Sequence, residues 1–492
     1  MMKILSIVAE VMPFSSVGGM ARGTKYLADE LVGLKNEVTI FTPLHKDSVD
    51  YCSRNNHRLT TIFSSSLPNN FRSFQEYGDK HFSILKINKK DLISNFTFFD
   101  YPEFFRQRAN VYNYHDDGLR FWTFSVGCLE WLLAQKKSKQ WLPELIHCHD
   151  WHTCFLIEQI KKNSRYKELA NIPVLLTIHN FRYQDSSGTA FLRQLTPLDL
   201  PLEKLNRAEI EKQNALSIGI KYADCINTVS KTHALEVQEP EFGYNLAKEL
   251  KNKNVVGILN GLNYEDFDPK KDSKIFFNYD EKNLIEGKKK NKHYLQKLFG
   301  LPQKGAMLFC FVGRVSAQKG IDSLTASLKR LLNKHRNVQF ISLGIGDDYF
   351  CEMLWKLEKA YPKQVKVLLK HDVDLPRQIF AGSDLCLIPS NWEPGGIVAV
   401  ESQRYGCIPL VRRVGGLKDI VSQFSDSNST GNGFVYQKQT ISSLQSKIKQ
   451  AITMFNSSPI KWLSITSNAF NYKREWSEVA HDYNQLFLKM TR

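Results

Sequence analysis

The feature that most limits what this chain can become is a strict alternation. Short apolar runs, each long enough for one buried strand, are followed by stretches with apolar residues at helical spacing, and the pattern repeats almost from end to end. Lys3 to Val11 reads as a buried strand, and Tyr26, Leu27, Leu31 and Leu34 as the inner face of a helix. Val38 to Phe41 reads as the next strand. Continuous rather than alternating apolar strands imply parallel sheets covered by helices on both faces. Leu145 to Cys148, Val174 to Ile178, Cys225 to Val229 and Val255 to Leu259 continue the first series.

From Asn260 to Pro269 the chain turns polar, and a charged stretch follows to Lys292. A second series then begins: Met307 to Val312, Val338 to Leu343, Val365 to Leu369, Leu385 to Pro389 and Ile408 to Val411. A length of 492 residues with 42% hydrophobic content exceeds what one core usually supports. The expected class is therefore α/β, with two Rossmann-like doubly wound domains facing across a cleft. Its expected bounds are 1–262, 263–470 and a terminal helix over 471–492 that crosses back to the first domain.

Charge narrows the partners only a little. Sixty-six basic against 50 acidic residues give +16, and the basic residues are mostly dispersed. The one dense run, Lys288, Lys289, Lys290 and Lys292, reads as a solvated linker or helix start, so neither nucleic acid nor membrane is expected as a partner. The first apolar run reaches Glu10 too soon for a signal-peptide core, which makes a cytoplasmic location the expectation. Nine cysteines without Cys-x-x-Cys spacing indicate neither a disulfide framework nor a zinc site.

Four segments at strand ends carry the chemistry. Glu10 to Met20 places Gly18 and Gly19 between a strand and a helix, where backbone amides can approach a phosphate or sugar, although a tight turn without ligand has the same form. Gly313 to Gly320 holds Arg314 and Lys319 on a glycine-flanked loop, a pairing that suits a diphosphate. Ser390 to Glu401 carries Glu393 before a helix, Glu401 within it, and Gly395, Gly396 and Ile397 at its start. His147 to His152 and Thr177 to Asn180 gather histidines around Asp150. Along a strand His147 and His149 share one face while Asp150 points away, which argues against a metal site.

Taken together, these segments resemble bacterial and archaeal glycogen synthases and plant starch synthases, retaining glycosyltransferases of the two-domain GT-B fold. Further segments carry the resemblance over nearly the whole chain: Tyr222 to Ser230, Pro240 to Tyr244, Gly257 to Tyr264, Arg404 to Gly406, Val411 to Leu417, and the closing Trp476 to Leu488. It implies that Arg314 and Lys319 hold a donor diphosphate and Glu393 the transferred glucose, with Gly396 and Ile397 giving amides to the donor. His179 and Asp150 would line the sugar site, and Asn260 would sit at the domain junction. Glu10, Ser16, Gly18, Gly19, Gly395 and Glu401 complete the expected substrate-binding set. No cofactor and no metal are implied. The expected donor is ADP-glucose, with UDP-glucose as the alternative, and the acceptor an α-glucan. Rival readings are a retaining transferase with another acceptor and an inactive glycan-binding relative.

Three departures stand out. The family's lysine two residues before the glycine pair is Ser16, its bacterial cysteine after Glu-Pro is Gly395, and an aspartate found after the pair in some members is Arg22. The first removes a cation expected to contact the donor phosphate.

Overall fold

The computed structural model describes residues 1–68, 81–88, 92–184, 214–303 and 305–492. The chain divides into two compact units. Unit 1 comprises Met1–Val229, Ala234–Ile258 and Trp476–Arg492, and unit 2 comprises Ser230–His233 and Leu259–Glu475. The change falls at Leu259 rather than after 262, because Leu262 pairs with Glu475 and donates its amide to the Arg474 carbonyl. Those partners tie this segment to unit 2.

Unit 1 is built on a nine-stranded sheet of order β3-β4-β5-β2-β1-β6-β7-β8-β9. Its strands are β1 (Lys3–Ile7), β2 (Glu37–Pro43), β3 (Leu59–Ser66), β4 (His81–Ile87), β5 (Asn95–Asp100), β6 (Leu145–His149), β7 (Val174–Ile178), β8 (Cys225–Thr228) and β9 (Val255–Gly257). Only the β3–β4 and β4–β5 pairs are antiparallel. Strand β1 stops at Ile7, four residues short of the expected end, and Val8 to Val11 continue as a buried loop. Helix α1 (Gly19–Gly33) carries Leu27 and Leu31 on its buried face, as their spacing requires. Helix α2 (Asp117–Lys137) is buried without a break from Asp117 to Leu133, and its Phe124 and Trp131 rings stack on Phe41 of β2.

Unit 2 has a six-stranded, wholly parallel sheet of order β12-β11-β10-β13-β14-β15. The strands are β10 (Met307–Val312), β11 (Val338–Leu343), β12 (Val365–Leu368), β13 (Leu385–Ile388), β14 (Ile408–Arg412) and β15 (Phe434–Tyr436). Helices that position the site are α3 (Leu284–Leu298), α4 (Leu375–Gly382), α5 (Ile397–Arg404) and α6 (Pro459–Phe470). The lysine run belongs to α3, and Lys288 is buried there, which corrects the solvated reading. After α6 the chain enters α7 (Trp476–Met490), which packs on α1 with the Trp476 and Tyr26 rings 6.1 Å apart.

Strand order fixes where ligands can lie. In each sheet the order reverses beside one strand, between β1 and β6 in unit 1 and between β10 and β13 in unit 2. Loops leaving the carboxyl ends of such neighbours splay to opposite faces and leave a crevice. All four candidate segments leave one of these strands or β7. Among the described residues, no helix is long and apolar enough to cross a membrane.

Candidate active site

In unit 2 the loops after β10 and β13 are zipped together by backbone. Gly320 has φ +66°, and a Cβ there would lie 2.3 Å from the Pro389 carbonyl, so only glycine permits the approach. The Asn391 amide donates to the Gln318 carbonyl at 2.8 Å and its side chain to Ala317 O at 2.7 Å. This frame brings the Lys319 Nζ to 2.6 Å from Glu393 Oε2, and the Ser390 hydroxyl donates to the same oxygen at 2.8 Å. Glu393 is 8% exposed, so its carboxylate is largely withdrawn from water, while Arg314 stands exposed on the same loop.

Gly395, Gly396 and Ile397 follow directly. Gly396 caps α5 in the left-handed region, at φ +68°, and Ile397 is the first helical residue, so the unpaired amides of the helix start lie next to the Lys319–Glu393 pair. Gly416 donates its amide to the Glu393 carbonyl at 2.9 Å and fixes the turn from the other side. Glu401 is buried inside α5, near Cys386 of β13.

Unit 1 assembles a second cluster at its own switch point. The loop after β1 is pinned by Phe14, which is buried and meets Phe96 and Phe98 edge-on at 4.8 and 4.9 Å. The Glu10 carboxylate then accepts the amides of Val17 and of Gly18, the latter at 3.2 Å, and so folds the loop over itself. Burial raises the Glu10 pKa to about 7, with Asp150 adding to the rise and the two amides opposing it. The buried Tyr112 hydroxyl lies beside Glu10 without a hydrogen bond of proper geometry. Ser16 is exposed on this loop, and Arg22 is half-buried one turn into α1.

Asp150, at the end of β6, has φ +56°, which turns its carboxylate back to accept the His179 amide at 2.7 Å. Burial raises the pKa of Asp150 and lowers that of His179, and each group partly offsets the other's shift. A relay of hydrogen bonds orients the His179 ring: Ser6 Oγ to His149 Nε2 at 3.2 Å, then His149 Nδ1 to His179 Nε2 at 3.1 Å. His147 shares a face with His149, their rings 4.1 Å apart, and bonds Thr177 instead. Among the described residues, no group of three or more His, Cys, Asp or Glu side chains is placed to hold a metal ion.

Comparison with known proteins now bears on this geometry. Residues 3–252 match the family model of the starch synthase catalytic domain, and residues 297–458 that of glycosyl transferases group 1. A glycogen synthase of Thermosipho melanesiensis is 32% identical over 99% of both chains, and one of Bacillus subtilis is 32% identical over 100% of this chain and 99% of its own. The chain belongs to the glycogen and starch synthase family. It is thereby a nucleotide-sugar-dependent glycosyltransferase. The catalytic domain of starch synthase IV from Arabidopsis thaliana, bound to ADP and acarbose, matches with TM-score 0.85 at 28% identity, covering 100% of this chain and 99% of that one. A sucrose-phosphate synthase from Thermosynechococcus elongatus, 17% identical with TM-score 0.58, shares the GT-B fold.

Within this family frame the structure brings Lys319, Glu393, Gly395, Gly396 and Ile397 together in unit 2, with Arg314 on the same loop. Glu10, Ser16 and Gly18 share a loop in unit 1 that runs into Gly19, the first residue of α1, and Asp150 and His179 form a pair. Asn260 is half-buried just past β9 and joins neither cluster through a hydrogen bond described above. Two elements escape a reading of sequence. Ser390 fixes the Glu393 carboxylate, and the Gly344 to Asp347 loop lies along the cation loop, where a Cβ on Gly344 would fall 1.8 Å from the Gly313 carbonyl. The signal for the second was present, a glycine pair at the end of an apolar strand.

Proposed function

We propose that the protein extends α-1,4-glucan by transferring glucose from ADP-glucose to a non-reducing end, with retention of anomeric configuration. A cytoplasmic location goes with this reading. The observation that carries it is the Lys319–Glu393 pair seated at the start of α5. As the bond between sugar and diphosphate breaks, negative charge develops on the leaving group. Arg314, Lys319 and the α5 amides supply positive potential for that charge. Glu393, its carboxylate fixed by Ser390, accepts hydrogen bonds from the hydroxyls of the transferred glucose. Asp150 and the oriented His179 bind sugar from unit 1.

Gly18 and Gly19 support a ligand role for the first loop. Gly18 has an ordinary negative φ, and a Cβ on it would meet its nearest atom, Glu10 Oε1, at a comfortable 3.7 Å. Around Gly19 the space is open. The fold itself does not require glycine at either position, so close approach by a bound group is the remaining reason for the pair. Incubation with ADP-glucose, UDP-glucose and glycogen, with released nucleotide diphosphate as readout, tests the proposal. ADP-glucose should give the faster release; no release from any nucleotide-sugar would move the protein to the glycan-binding reading.

Ser16 gives a sharper expectation. A cation at this exposed position adds to the field on the diphosphate, so Ser16→Lys is expected to raise kcat/KM for the donor about tenfold. Steady-state kinetics of wild type, Ser16→Lys and Arg22→Ala check it. No gain from Ser16→Lys together with a large loss in Arg22→Ala would assign the missing charge to Arg22.

A further inference from the structure

The lysine run left unexplained by the transfer reaction holds a buried cation. Lys288 lies in α3 and is 7% exposed, yet among the described residues no carboxylate forms an ion pair with it. Its ammonium instead donates to four backbone carbonyls: Phe380 at 3.1 Å, Ala381 at 3.2 Å, Ser383 at 2.8 Å and Tyr405 at 2.9 Å. The first two belong to the last turn of α4 and Ser383 is its C-cap. Tyr405 is the C-cap of α5.

Carbonyls at a helix C-terminus have no partner within the helix, and they carry the negative end of its dipole. Here two such ends converge on one dry point. Burial draws the Lys288 pKa down, while the neighbouring Cys407 thiol and Asp384 carboxylate oppose the shift. Asp384 is itself taken by Lys292 at 2.5 Å and by the Leu308 amide at 2.7 Å. A Cβ on Gly406 would lie 3.2 Å from the lysine Cδ, so that glycine leaves room for the stem. A ring of carbonyl oxygens around a desolvated monovalent cation is also how proteins hold potassium, an ion of nearly the same size as ammonium.

We infer that Lys288 serves as a tethered monovalent cation, filling a carbonyl cage that locks the C-termini of α4 and α5 together and so positions α5, the helix that begins at Gly396. Removing the side chain leaves a site of the chemistry that takes potassium. The inference rests on the proposed function only in linking α5 to the donor; the cage itself does not depend on it. Lys288 is a positioning residue, remote from the reacting atoms.

The test compares potassium chloride with choline chloride at equal ionic strength. Wild type should melt at the same temperature in both. Lys288→Ala should melt about 6–12 °C lower in choline chloride, because the converging carbonyls lose their only charge, and should regain at least half of that in potassium chloride. Its kcat should fall about tenfold or more in choline chloride and recover with potassium, since a small displacement of α5 misplaces the donor. Lys288→Met, which keeps the stem but fills the cage without charge, should recover in neither salt. Equal behaviour of Lys288→Ala in the two salts, including failure to refold in both, would overturn the inference. Recovery of stability without recovery of kcat would leave the cage and overturn the positioning of α5. A wild type without transfer activity would defeat the proposed function alone, and the melting comparison would still decide the cage.

Discussion

Lys319→Ala is expected to lower kcat/KM for the nucleotide-sugar by about a hundredfold or more while unit 2 stays folded. Two effects combine. The substitution removes a cation from the developing diphosphate charge, and it leaves the Glu393 carboxylate, 8% exposed and 2.6 Å away in the wild type, with the Ser390 hydroxyl as its remaining hydrogen-bond partner among the described residues. A free anion at that position opposes the donor. The double variant Lys319→Ala, Glu393→Gln should therefore lose less than the sum of the two single variants, as expected for groups in direct contact. The loop should hold its shape because the Gln318 and Ala317 carbonyls accept from the backbone and side-chain amides of Asn391, and Gly320 lies close against Pro389, none of which involves the lysine side chain. Arg314→Ala should lose turnover as well, and Arg314→Lys should restore it only in part, since an ammonium keeps the charge but lacks the planar fork that matches two phosphate oxygens. Donor kinetics with circular dichroism of each variant decide the matter. Near-normal turnover in Lys319→Ala would remove this residue from the donor site.

Much of this was legible in the residues, and the parts that were not have common causes. Strands β7, β10 and β11 were readable to the residue because parallel strands buried on both faces leave unbroken apolar runs. Strands β3 and β4 were not, since an antiparallel margin with one wet face has a weaker pattern; β3 is largely exposed along its length. The histidine cluster was visible as composition, but its order was not. That His149 rather than His147 orients His179 depends on the β6–β7 register, which sets His149 opposite Thr177. Lys288 was misread for the same reason. A lysine in a charged run looks solvated, and the carbonyls that bury it come from positions 92 to 117 residues further on. Tyr112, lying in a loop without pattern, had no signal at all.

Glu10 was readable as a ligand-binding carboxylate, whereas the structure gives its oxygens to the amides of Val17 and Gly18. This makes a prediction in which stability and activity move in opposite directions. Between pH 4.5 and about 7 the folded protein keeps a proton on Glu10 that the unfolded chain has lost. Stability contributed by this group therefore falls as pH rises through that window and stays low above it, by about 3 kcal/mol in all. Of the groups facing Glu10, Asp150 opposes the ionised form, while the Tyr112 hydroxyl and the two amides favour it. The ionised carboxylate, however, is the form that accepts both amides fully, and those bonds shape the loop that carries Ser16, Gly18 and Gly19. Wild-type kcat/KM should consequently rise as pH passes through about 7. Glu10→Gln offers one oxygen and an amide group that clashes with the second N–H, so it should be slower by about tenfold or more above that pH, with no inflection there. Its stability relative to wild type should improve by about 2.5 kcal/mol between pH 5 and pH 8, because it has no charge to bury. Urea unfolding at the two pH values and a kcat/KM profile across them measure both sides. A variant that keeps the wild-type inflection would show that another group sets it, and a stability difference independent of pH would show that Glu10 is ionised throughout.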